Sequence, residues 1–156
     1  SSAAVLDGTD IVYVMRVPTH KIMKNSLGIG SRLPAYCTSL GRMLLAGLSD
    51  DEVRARLDAS DLKPLTRHTV TDPATLLARV QQVRKQGWCL VNQELEEGLI
   101  SLAAPLVDAA GRTVAALNLS GQANRTSARV AQDSLLPPLL DAARQISALL
   151  AVKGGA

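Results

Sequence analysis

The amino-acid sequence predicts an α+β domain built on an antiparallel sheet with flanking helices. Three observations carry this: a hairpin signal at the start, a second hairpin in the last third, and helix-period apolar segments between and after them. Of the 156 residues, 47% are hydrophobic and 20% charged, an ordinary globular balance. A chain of this length buries about 70% of its unfolded surface, so one domain spanning 1–156 needs no disulfide or metal staple. No low-complexity tract, internal linker or short repeat divides it.

In chain order, Ala3 to Leu6 is apolar, Asp7-Gly8 supplies a turn, and Ile11 to Val17 is β-branched and aromatic. An Asp-Gly pair between such runs is a hairpin signal because glycine tolerates positive φ. A turn at Pro18-Thr19 and a further strand from about Lys21 to Ile29 are expected next. Gly28 and Gly30 suggest that this strand ends where the backbone comes close to something. Thr38 or Ser39 can cap a helix running through Leu40, Met43, Leu44 and Leu48. Ser49 and Glu52 form a capping box, with Val53 and Leu57 on one face of the helix it starts. Asp72-Pro73 opens a third helix, striped by Leu76, Leu77, Val80 and Val83 and stopped by Gly87.

Strands return at Trp88 to Asn92, Leu99 to Val107 and Thr113 to Ser120, the last two joined by a turn over 108–112. The chain closes with helical periodicity from about Ser127 to Val152. Pro137-Pro138 either kinks that helix or delays its regular part to about Ser134.

Composition narrows the function. Tyr13, Tyr36 and Trp88 are the only aromatics, too few for a base-stacking surface. The net charge of +3 is small and its basic residues are scattered, so no phosphate-tracking stripe is formed and DNA binding by this chain is not expected. Cys37 and Cys89 are far apart without a histidine cluster, which reads as buried free thiols in a reducing cytosol. No apolar run approaches the roughly 20 residues that cross a bilayer, and no leader pattern is present. The start without Met fits a fragment of a longer chain.

No enzyme constellation assembles. His20 and His68 lack metal-ligand spacing, and phosphate-loop, dinucleotide and nucleophile-elbow motifs are missing. No catalytic residue, metal or cofactor is therefore assigned. The acidic run Glu94, Glu96, Glu97 reads as solvated charge in a loop before Gly98. Alternation along strands is more informative. It puts Ala116, Asn118 and Ser120 on one face with Ala115, Leu117 and Leu119 on the other; on the preceding strand, Ser101 and Ala103 oppose Ile100, Leu102 and Ala104. Small residues leave volume, and Asn and Ser supply donors without a full charge. The small, polar face is either the floor of a pocket, a solvent-facing side or a surface packed by a helix. Arg16, His20 and Arg32 are candidate partners for a carboxylate, with surface solvation or a salt bridge as the alternative for each.

Residues 30–46 (GSRLPAYCTSLGRMLLA), 83–88 (VRKQGW), 94–98 (ELEEG), 103–105 (AAP) and 115–121 (AALNLSG), in that order, resemble the effector-binding domain of IclR-family transcription regulators; 66–73 fits the family's entry to the middle helix. Residues 16–23 and 27–30 are similar to the branch that regulates the protocatechuate and β-ketoadipate pathway. The resemblance implies a GAF-like fold with a cavity for a small carboxylate effector. It also implies a separate N-terminal winged helix-turn-helix, not in this chain, that contacts promoter DNA, and a cytoplasmic homodimer or dimer of dimers. Family ligand contacts fall on Gly30, Ser31, Ser101, Asn118 and Ser120. The family's acidic contact falls on Val91 or Asn92 and its cysteine contact on Ser101; losing an acid there favours a more anionic effector. A ligand-free dimerisation module and an α+β enzyme acting on small acids are the alternatives.

Overall fold

Two opposite faces of one sheet organise the computed structural model, which describes residues 1–17 and 27–154. Strands β1 (Ser2–Asp7), β2 (Asp10–Arg16), β3 (Arg32–Pro34), β4 (Cys89–Asn92), β5 (Leu99–Val107) and β6 (Thr113–Gln122) form it, in the order β3-β2-β1-β6-β5-β4. Every neighbouring pair is antiparallel. Between the strands lie helices α1 (Ser39–Leu45), α2 (Asp50–Ala59) and α3 (Pro73–Gln86), and α4 (Ala128–Gly154) closes the chain. The sheet is antiparallel with helices on both faces, as the hairpin signals require.

Local chemistry sets the helix limits. Thr38 accepts a hydrogen bond from the Gly41 N–H and starts α1. α1 ends at Leu45, three residues short of the expected Leu48, and the Leu48 N–H bonds the Leu45 carbonyl in a tighter turn. Ser49 and Glu52 make the reciprocal capping box of α2. Asp72 caps α3 with Pro73 in its first turn, and Gly87 ends it at φ +83°, a conformation that costs a residue with a Cβ about 1–2 kcal/mol. α4 is continuous through Pro137 and Pro138, so its regular part does not wait for Ser134.

The expected strand near 21–29 lies mostly outside the described residues, as does the turn at Pro18-Thr19. Among the described ones, 27–31 are irregular and the strand is β3, three residues long. Nothing would meet a Cβ at Gly28 or Gly30, so neither glycine marks a close backbone approach; Gly30 instead holds φ +88°.

Cross-strand register decides which residues share a face. Ser101 pairs with Ser120, Ala103 with Asn118 and Ala4 with Ala116, which gives the front face small side chains across three strands. α1 lies on that face, and α3 packs against α1. Gly41 of α1 has no room for a Cβ, which would collide with the backbone of Ala35. The back face presents Ala3, Ile100, Leu102, Ala104, Leu106 and Leu117 to Ala131, Leu136, Leu139 and Ala143 of α4.

α4 corrects one expectation. Over Ala128–Val152 its length and hydropathy would suffice to cross a membrane. Asp141 and Arg144 interrupt the run, so it does not stand out in the sequence. In this fold the stripe through Leu136, Leu139 and Ala143 is buried against β5 and β6.

Candidate functional site

The front face does not pack solid. Between α1 and the sheet lies a cavity of about 120 Å³. At roughly 30 Å³ per water in the liquid, that is room for about four waters.

One end of the cavity is a buried polar cluster. The Ser39 and Ser101 hydroxyls are 2.5 Å apart, and Ser101 Oγ also accepts from Asn118 Nδ2 at 3.3 Å and Ser120 Oγ at 3.4 Å. The strands bring these residues together, because Ser101 sits opposite Ser120 and two residue pairs along from Asn118, on the same face. α1 supplies Ser39 from above. A hydroxyl offers one donor and two acceptor sites, so three neighbours saturate Ser101. Asn118 retains its carbonyl oxygen and a second N–H, and the bond from Ser120 is long enough to be exchanged. Among the described residues no buried side-chain N or O lacks a partner, so the cluster's buried polar atoms are satisfied within the protein.

A cation stands further along the same row of strands. Arg16 pairs with Ser2, and Ser2 pairs with Asn118. With neighbouring strands about 4.8 Å apart, the backbone of Arg16 lies roughly 10 Å from that of Asn118. Arg16 lines the cavity, packs its guanidinium 5.0 Å from the centre of the Tyr13 ring and donates to Ser2 Oγ at 3.4 Å. Tyr13 also lines the cavity, and burial holds its phenol above its ordinary pKa, so it is neutral and able to donate. Leu33, Leu40, Val91, Leu95 and Leu99 add apolar wall. Cys37 is part of it too; burial pushes its thiol up to about 12, so it presents neutral sulfur. Cys89 is likewise buried and free.

The site residues named from sequence therefore separate. Arg16, Ser101, Asn118 and Ser120 line one cavity, while Gly30, Ser31, Arg32 and Asn92 lie outside it. Arg32 points to the exposed edge, where it pairs with Asp7 at 2.8 Å and Asp10 at 3.1 Å. Ser31 turns its hydroxyl to the Gly28 N–H. Asn92 pairs with Ile100 and so falls on the other face, exposed; it is Val91, opposite Ser101, that reaches the cavity. His20 lies outside the described residues.

Two features escaped the sequence. Ser39 read only as a possible helix cap, and nothing local marks it as the partner of a residue 62 positions away. Glu94 read as solvated with Glu96 and Glu97, yet it is 6% exposed and forms a forked ion pair with Arg42, itself 2% exposed. Glu96 and Glu97 are exposed as expected. Among the described residues no His, Cys, Asp and Glu group could hold a metal ion.

Comparison with known proteins agrees with this architecture. The profile of the family "Bacterial transcriptional regulator IclR C-terminal" matches residues 2–148. The Pca regulon regulatory protein of Pseudomonas putida is 46% identical over 94% of this chain and 50% of its own length. The p-hydroxybenzoate hydroxylase transcriptional activator of Acinetobacter baylyi is 38% identical over 96% of this chain and 57% of its own length. This chain thus spans about half the length of the curated relatives it matches. Among solved structures, the inducer-binding domain of a double mutant of the Acinetobacter transcription factor PobR, in complex with 3-hydroxybenzoic acid, superposes with a TM-score of 0.85. It is 35% identical, covering 94% of this chain and 86% of that one.

Proposed function

The chain belongs to the IclR C-terminal family of bacterial transcriptional regulators, the effector-binding domains of GAF-like α+β fold, and from that premise we propose that its cavity binds protocatechuate or β-ketoadipate. Two of the similar regulators are named for the Pca regulon and for p-hydroxybenzoate hydroxylase, and one similar domain holds a hydroxybenzoic acid. The observation that carries the proposal is the cavity itself: a buried hydroxyl and carboxamide cluster, an apolar wall and Arg16 along one row of strands.

In this reading Asn118 and Ser120 hold the ligand's hydroxyl or keto end and Arg16 faces a carboxylate. Arginine suits that role because its planar fork matches two carboxylate oxygens. His20 is a second candidate cation, since it follows the same strand in sequence. Arg32, Asn92, Gly30 and Ser31 are not proposed as direct contacts, because the geometry takes them elsewhere. Binding would favour one arrangement of paired subunits, and so the spacing of winged helix-turn-helix domains on promoter DNA. The ligand can shift that balance only by its difference in affinity between the two arrangements, typically about 1–3 kcal/mol. The cytoplasm, a homodimer or dimer of dimers, and the absence of enzyme activity belong to the same proposal.

Calorimetry and thermal shift with a panel of pathway acids test it. Ligand at about 100 times its Kd should add about 2.7 kcal/mol of stability. A folded sample that responds to neither acid removes the proposal and leaves the ligand-free dimerisation module, whereas conversion of either acid to product points to an enzyme.

A further inference from the structure

Neither Arg42 nor Glu94 touches the cavity, yet both are buried and charged in a fold that has little else of the kind. Arg42 donates Nη1 and Nη2 to the two Glu94 carboxylate oxygens, at 2.8 and 2.5 Å, and Nε to the Tyr36 carbonyl at 2.9 Å. Glu94 Oε1 accepts a further bond from the Val70 N–H at 3.1 Å. The pair thus joins three segments distant in sequence: α1, the β4–β5 turn and the chain entering α3.

The same turn is gripped by its backbone. Thr66 Oγ1 donates to the Gln93 carbonyl and Thr69 Oγ1 to that of Glu94, each at 2.6 Å. Gln93 stands at φ +62°, the only non-glycine residue with positive φ among the described residues, and its side chain accepts from the Gly98 N–H at 3.0 Å. A non-glycine residue in that region costs free energy and persists where surrounding contacts over-determine it. What this turn delivers is Leu95 and Leu99, both in the cavity wall. Tyr36, bonded through its carbonyl to Arg42 and through its hydroxyl to the Lys63 carbonyl at 2.6 Å, precedes the cavity residue Cys37.

A buried ion pair is weak evidence for stability, because desolvation cancels most of the attraction; apolar replacements of similar volume are often neutral or stabilising. Geometry is the better account of why the pair is there. We propose that Arg42 and Glu94 are positioning residues for the effector cavity: the pair holds the β4–β5 turn so that Leu95 and Leu99 stand preformed as its wall. This rests on the ligand-binding reading for its functional consequence, but not for its structural one. Without the pair the turn samples other positions. If the wall is in place one-tenth of the time, apparent affinity drops about tenfold with no contact to ligand removed.

The experiment uses the double variant R42M/E94L, with T69V as a milder change that removes one grip on the turn and leaves both charges. Hydrogen exchange is followed at the amides of Gln93, Gly98 and Leu99 in the turn, and of Leu102 and Leu117 in the sheet, with protocatechuate and β-ketoadipate affinity measured alongside. The expected result is exchange about tenfold faster in the turn and unchanged in the sheet, with affinity reduced by a similar factor. A merely structural pair would instead raise exchange in both places together, and that outcome, or unchanged exchange in the turn, overturns the proposal. If the double variant does not fold, Glu94→Gln, which keeps the side-chain volume and removes the charge, decides by the same comparison. Wild-type protein that binds neither acid defeats the ligand reading alone, since the exchange result still stands. Loosened turn amides with unaltered affinity in a binding-competent protein overturn the functional consequence.

Discussion

The two faces of β5 and β6 are made by the same backbone and differ only in every second side chain. Behind the sheet, Ile100, Leu102 and Leu117 meet Leu136 and Leu139 of α4 in an apolar layer. In front, Ser101, Ala103, Ala116 and Asn118 meet α1, with Ser39 and a cavity between them. Large aliphatic residues fill space and stabilise; small and polar ones leave space and supply donors that must find partners. The back is packed as an apolar layer, whereas the front divides its face between an apolar core around α1 and a cavity where a small molecule can bind.

Substitutions can break that division of labour. Gly41→Ala has the largest expected effect. Its Cβ meets rigid backbone at Ala35, α1 must lift from the front face, and a loss of about 3 kcal/mol or more is expected in chemical denaturation, with ligand binding abolished. Leu139→Ala, at 2% exposure behind the sheet, should cost about 2–5 kcal/mol while leaving effector affinity unchanged under conditions where the protein stays folded. A large affinity change in that variant would mean that the faces are coupled. Ser101→Ala should reverse the pattern. It removes a hub of three hydrogen bonds, for about 1 kcal/mol of stability, but disorganises Ser39, Asn118 and Ser120 together and should weaken effector binding about tenfold in calorimetry. Equal affinity in Ser101→Ala and wild type would remove the polar cluster from the binding reading.

Much of this fold was legible because its signals are local. Ser49 with Glu52, Asp72 with Pro73 and Gly87 act within one helical turn, and each element they bound formed where expected. Alternation also separated the two faces of β5 and β6 correctly, since side-chain direction follows from the pleat. The ambiguous cases depended on distant partners. Asn92 and Val91 are adjacent, and only the register with β5 shows that Val91 faces the cavity and Asn92 does not. Arg32 carries the same charge as Arg16, but Asp7 and Asp10 across the hairpin capture it at the edge. Glu94 was indistinguishable from Glu96 and Glu97 until α1 brought Arg42 beneath it.

The sequence by itself determined the caps of α2 and α3, the β1–β2 and β5–β6 hairpins, and that β5 and β6 each have one small, polar face. Those properties come from dihedral preferences, capping groups and a period of two, all of which act over a few residues. Only the tertiary structure decided that the small face is buried under α1, that Ser39 joins the polar cluster, and that one glutamate of three is inside. Each of those depends on which segments the core brings within about 3 Å of one another, and hydrogen bonds and ion pairs have no effect in sequence until packing sets that distance.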